Sequence, residues 1–288
     1  MRALSGTLAT MAVAVLPLLG GCGNDNPVAV VGADTTAPFP PNGVFSITGD
    51  GVVSVFWNAN QDQRDLAGYA VYRSSTDVGP YNHLSDVSAS TTQYDDFNVT
   101  NGQTWYYAVT AFDRADNESK LSKELVFDTP RPAGTGLTLF DFVGQNNSLG
   151  GYDFSSVSGA AQAWNAATTD IYFGVANGVN TLFVAAGVDI QDFGWVGLDP
   201  GTTALDLVDW APDQGWAPSG AVEVIPGHAY VVRIIDGPGD AHYAKLLVRS
   251  VTNPNVSADA RKVTVDWAYQ VASNNQELAP GARGGASK

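Results

Sequence analysis

The stretch GHAYVVRIIDGPGDAHYAKLLV, Gly227–Val248, decides the fold. Two apolar runs, His228–Asp236 and Ala241–Ser250, flank the centre Gly237-Pro238-Gly239-Asp240. Glycine admits positive φ and proline fixes its own φ, so this centre predicts a tight reversal between two antiparallel strands. With a four-residue centre, Asp236 pairs with Ala241, His242 stands opposite Ile235, and His228 stands opposite Arg249. Strict alternation then sends His228 and His242 to opposite faces of the hairpin. A one-residue bulge would bring them to one face, but six strand residues, roughly 20 Å, would still separate their rows. One metal ion or one haem cannot bridge that gap.

The pattern continues on both sides. After the hairpin, Arg261–Val271 alternates Val263, Val265, Trp267 and Tyr269 against Lys262, Thr264, Asp266 and Ala268. That is one apolar and one more polar face. Upstream, Thr169–Ala176 and Thr181–Gly187 read as strands, and Ala160–Thr168 as a short helix. Residues 136–278 are therefore expected to form a mostly antiparallel β domain. Between its strands, Val188–Trp216 reads as a long loop carrying Asp189, Asp192, Asp199, Asp206, Asp209 and Asp213. The acidic spacing does not match a calcium loop. Trp195, Trp210 and Trp216 sit in the same segment beside glycine-rich turns, either as core or as rings exposed for ligand stacking. This segment is the first place to look for a pocket.

Before this domain, a second set of strands occupies residues 37–129. Val53, Val55 and Trp57 alternate onto one face, as do Tyr69 and Val71, and Trp105, Tyr107, Val109 and Ala111. These short strands suit a two-sheet sandwich of about 100 residues. Trp57, LAGYAVYR at Leu66–Arg73, TQYDD at Thr92–Asp96 and NGQTWYYAVTAFDRADNES at Asn101–Ser119 together resemble a fibronectin type III domain. Trp105 stands where that family places a corner tyrosine, and its indole N–H is the expected substitute donor. The resemblance implies a spacer or interaction module rather than an activity. His83 reads as a surface residue. Residues 130–135, rich in proline and glycine with their neighbours, read as a linker.

The chain of 288 residues has 44% hydrophobic but only 15% charged residues, with 31 Gly and 15 Pro. That balance favours turn-rich β structure, and the fold class is all-β. Fourteen basic against 29 acidic residues give a formal charge of −15. With no basic cluster to replace phosphate counterions, nucleic-acid binding is excluded.

Residues 1–21 read as a signal peptide, with Arg2 ahead of the apolar stretch Ala3–Leu19. Leu19-Gly20-Gly21-Cys22 resembles the bacterial lipobox, and Cys22 is the chain's single cysteine. The resemblance implies a lipidated Cys22 and a protein anchored to the bacterial outer membrane, facing periplasm or cell surface. A polar tether, 22–36, follows, and 279–288 reads as a flexible tail.

The order GHAYVVRIIDG, YAKLLV, VTVDWAYQ, with TDIYF upstream, resembles the C-terminal half of the HmuY-like bacterial lipoproteins. That resemblance implies haem or small-ligand capture, with His228 or His242 as a single iron ligand. The residues themselves carry no HxH, HExxH, CxxC or acid–base signature. The expectation is a non-enzymatic envelope module that binds a protein or glycan and has no cofactor. Haem capture is the alternative. Trp195, Trp210, Trp216, His228 and His242 are the candidate ligand-binding side chains.

Overall fold

The computed structural model describes residues 32–61, 63–198 and 202–279. From Thr35 onward they belong to one compact unit, which is all-β.

Seven strands come first: β1 (Phe45–Thr48), β2 (Val53–Phe56), β3 (Leu66–Ser74), β4 (Asn82–Ser88), β5 (Gln93–Asp96), β6 (Trp105–Asp113) and β7 (Val126–Asp128). They form two sheets, ordered β1-β2-β5 and β4-β3-β6-β7. The alternating residues named from the sequence fill the space between them: Val53, Val55, Trp57, Tyr69, Val71, Tyr107, Val109 and Ala111 are buried together. This is a fibronectin type III-like sandwich. One expectation fails. The Trp105 Nε1 is buried without a partner, so the indole does not take over the corner bond. Its ring lies under the Arg73 guanidinium, 4.0 Å away. Two residues on, the Tyr107 hydroxyl donates to a side chain rather than to backbone, at 3.0 Å to Asp96 Oδ2.

Nine strands follow: β8 (Ala133–Phe140), β9 (Gly151–Tyr152), β10 (Ile171–Ala176), β11 (Val179–Val184), β12 (Val188–Trp195), β13 (Ala221–Glu223), β14 (His228–Gly237), β15 (Asp240–Val251) and β16 (Lys262–Gln270). A five-residue helix, α1 (Thr202–Asp206), sits between β12 and β13. The sheets are β13-β11-β10-β9 and β12-β14-β15-β16-β8. Their facing sides enclose Tyr152, Phe154, Ile171, Phe173, Leu182, Ile190, Tyr230, Val232, Leu246, Val265 and Trp267.

The larger sheet is covered on its other side as well. Val208, Ala211 and Leu278 pack over Ala229, Val231 and Tyr243, and Leu205 packs over Leu247 and Ala268. That explains why β14 and β15 read as nearly unbroken apolar runs, because a sheet buried on both sides has no water-facing face to mark with polar residues.

Several expectations are corrected here. Ala160–Thr168 is a chain of turns, not a helix, tied to Gly151 by a reciprocal backbone pair with Gln162. Val188–Trp195 is a strand, not loop. The supposed linker 130–135 is buried at 130–132 and enters β8 at Ala133. Ala279, placed in the tail, is buried, while the rest of the tail lies outside the described residues. So do the signal peptide and Cys22.

Arg131 explains the buried junction. Its side chain is only 2% exposed. Nε donates to the Thr129 carbonyl at 3.2 Å, and Nη1 to the Glu277 carbonyl at 3.0 Å. Nη2 reaches Thr48 Oγ1 at 3.3 Å and faces Glu277 Oε1 at 3.6 Å. One guanidinium thus ties the β1 end of the first sandwich to the segment that closes the second. Burial pushes the Asp128 and Glu277 carboxyls up, to about 6 and about 7, against the lowering effect of Arg131.

Candidate functional site

The hairpin is tighter than its sequence predicts. Gly237 pairs with Asp240 and Ile235 with Ala241, so the centre is Pro238-Gly239 and Asp236 is the extra residue of a bulge. His242 therefore stands opposite Ile234, not Ile235, and shares a face with His228. The strict-alternation expectation of opposite faces is corrected by that bulge. Six strand positions, roughly 20 Å, still separate the two rows. The residues do not fit a bis-histidine haem. His242 sits at the hairpin end, its Nε2 3.6 Å from Asp236 and 3.8 Å from Asp240, its ring beside Tyr269.

A second bulge builds a site around His228. β12 is the edge strand of its sheet. Asp192 opposes Tyr230, Gly194 opposes Ala229 and Trp195 opposes His228, leaving Phe193 without an opposite. In a regular strand Asp192 and Trp195, three apart, point to opposite sides. The extra residue reverses that parity and puts Asp192, Trp195 and His228 on one face. Gly194 makes the bulge with φ +104°, and its N–H donates to Asp192 Oδ1 at 2.8 Å.

The same carboxylate holds His228, with Nδ1 3.0 Å from Oδ2 and 3.1 Å from Oδ1. A carboxylate only accepts, so Nδ1 carries the hydrogen and Nε2 is turned away from Asp192. Trp195 as a residue is 67% exposed. It rests on the turn at Gly227, where a Cβ would fall 2.3 Å from the ring. It meets His228 edge-on, with centroids 6.3 Å apart and planes at 79°. Phe193 and Leu198 are exposed beside it along the chain. The result is an aromatic platform with an anchored carboxylate–imidazole pair at its edge. Such a surface can stack on a flat, weakly polar ligand face and hydrogen-bond groups at that ligand's rim.

The other candidates go elsewhere. Trp216 is half-buried, with Arg233 4.8 Å above its ring and Arg233 in turn bound to Asp189. Trp210 is partly exposed and its backbone bridges to Glu277. His83 is on the surface as expected, 2.7 Å from Asp86. Four acidic residues of the 188–216 segment engage separate partners: Asp189 with Arg233, Asp192 with His228, Asp206 with Lys245, Asp213 with Gln276. These four do not converge, and Asp199 lies outside the described residues. Sequence reasoning missed Asp192 as the partner of His228, because only the bulge brings them together. It passed over Lys245, whose signal was a lone cation within the apolar run YAKLLV.

No family model matches the chain. Over 103 residues it is 37% identical to an amylopullulanase of Thermoanaerobacterium saccharolyticum, covering 36% of this chain and 8% of that one. Over 97 residues it is 35% identical to exoglucanase B of Cellulomonas fimi, covering 33% and 8%. Over 142 residues it is 34% identical to chitinase Chi52 of Paenibacillus xylanexedens, covering 46% and 25%. The chain therefore spans only a small part of these relatives' length. Among solved structures, an Fn3-like protein from Clostridium thermocellum matches 33% of this chain and 97% of its own, at 26% identity and TM-score 0.29.

Proposed function

We propose that this chain is a lipid-anchored, non-catalytic binding module of the bacterial cell envelope, and that it binds neutral glycans through the Trp195 platform. The observation that carries the reading is the ring itself: a tryptophan two-thirds exposed on an edge strand, seated on a glycine, beside Asp192 and His228. Phe193 and Leu198 are exposed beside it along the chain, and a contiguous exposed apolar patch marks a binding surface. A sugar ring offers an apolar face to the indole and hydroxyls to the carboxylate and imidazole. The relatives support the same direction: three proteins named for starch, glucan and chitin degradation share a short segment with this chain, as an appended module would. Cys22 after the apolar N-terminal stretch supports the anchor, and the fibronectin-like sandwich then serves as the spacer.

The test is affinity electrophoresis and calorimetry of the full chain against soluble starch, cello-oligosaccharides and chito-oligosaccharides, with wild type compared to Trp195→Ala. Binding to one class, weakened roughly tenfold or more in the variant, is the expected outcome, since a stacked aromatic contact is worth about 1–1.5 kcal/mol or more. No binding to any of the three, or binding indifferent to Trp195, would refute the reading.

A further inference from the structure

The second site of interest lies where the two sandwiches meet, away from Trp195. A cavity of about 310 Å³ is lined there by Arg131, Leu205, Asp206, Lys245, Trp267 and Leu278, among others. Lys245 is the unusual member. It stands in the middle of β15 with its side chain 2% exposed. Its Nζ donates to the carbonyls of Leu205 at 2.9 Å and Val208 at 3.3 Å, and to Asp206 Oδ1 at 3.4 Å. Lysine stems usually carry their ammonium out to water. This one ends inside the protein, under α1 and the turn after it.

We propose that Lys245 is a reactive amine that captures small aldehydes or ketones in this cavity as a reversible imine. Two conditions make a lysine nucleophilic: desolvation in an apolar pocket, and a neighbouring cation. Both are met. Leu205, Leu278 and Trp267 line the cavity, and Arg131 is the second cation lining it. The charged groups around the amine are Arg131, which disfavours its protonation, and Asp206 and Asp128, which favour it. Desolvation and Arg131 prevail and bring Lys245 down to about 7. At neutral pH a large share of Lys245 is then the free amine, against roughly one in a few thousand for an ordinary lysine.

The step balances without a further reagent. The free amine keeps two N–H donors for the Leu205 and Val208 carbonyls and gives up its donation to Asp206. Its lone pair forms a bond to the carbonyl carbon and the C=O π pair moves to oxygen. A proton passes from nitrogen to that oxygen by way of Asp206. The carbinolamine then loses water, leaving C=N. Asp206 is placed for both proton movements, and the cavity volume limits the ligand to compact carbonyl compounds.

The test exposes the full chain briefly to propanal and sodium cyanoborohydride at pH 7, then maps propylated lysines by peptide mass spectrometry. Lys120, Lys123 and Lys262 are exposed and serve as internal references. The lowered proton affinity raises the free-amine fraction by about three powers of ten, and roughly half of that gain is offset by weaker intrinsic nucleophilicity. Lys245 is therefore expected to react at least about tenfold faster than the references, with the advantage kept at pH 5, lost near pH 10 where ordinary lysines also deprotonate, and vanishing in urea. No modification at Lys245, a rate no greater than the references, or an advantage that survives in urea would overturn the proposal. None of these outcomes bears on glycan binding, which is read separately through Trp195.

Discussion

Gly227→Ala tests the aromatic platform without touching any of its polar groups. Gly227 has φ +82°, and an added Cβ would meet the Trp195 ring at 2.3 Å. Two costs follow, and they separate. A non-glycine residue in the left-handed region costs about 1–2 kcal/mol wherever its side chain goes. The ring clash costs little in stability, because Trp195 is exposed and can swing into water, but it dismantles the platform. The expected result is a loss of about 1–2 kcal/mol in urea unfolding with unchanged slope. Glycan affinity should fall as far as in Trp195→Ala. In the Trp195→Ala background, Gly227→Ala should still cost the same stability but change affinity no further, since the ring it displaces is gone. Gly227→Ala with full affinity would refute the seating of the ring. A stability loss well above that range, absent in the Trp195→Ala background, would mean the ring cannot move and is part of the core.

Two further changes probe what holds the architecture. Glu277 has its carboxyl raised to about 7 by burial, above its unfolded value of 4.5. The native state therefore binds the extra proton between those values, and its stabilising contribution is full below about 4.5 and lost as pH rises through about 7. Glu277→Gln should flatten that part of the stability–pH curve measured by denaturant titration; an unchanged slope would show that Glu277 is not the group responsible. Tyr107→Phe removes the hydroxyl that donates to the buried Asp96, which retains Arg73 at 2.7 Å. The loss should be about 1–2 kcal/mol, and a neutral result in calorimetry would argue that Arg73 alone satisfies the carboxylate.

How much was legible follows from the range of each interaction. Strand identity depends on near neighbours. Tyr69, Val71, Tyr107 and Val109 alternate because one side of their sheet meets the core, so the first sandwich could be read from period-2 patterning, and the second from apolar runs bounded by turn residues. Even the reversal at Pro238-Gly239 is a local signal, although its register was read one residue off. Bulges defeat this kind of reading. A single unpaired residue costs nothing visible in composition, yet the one at Asp236 moves His242 to the face of His228, and the one at Phe193 unites Asp192, Trp195 and His228.

The amino-acid sequence by itself determined an all-β chain, the fibronectin-like sandwich, the paired strands of the second one, and a strongly acidic composition. Only the tertiary structure decided which residues are covered. Asp192 and His228 are 36 positions apart, Arg131 and Glu277 are 146, and Lys245 and Leu205 are 40. Pairings across such distances leave no periodic trace, because they depend on where a returning segment lands rather than on the spacing of its residues. That is why an arginine between two prolines resembled a linker, and why a lysine in an apolar strand gave no hint of the segment that buries it.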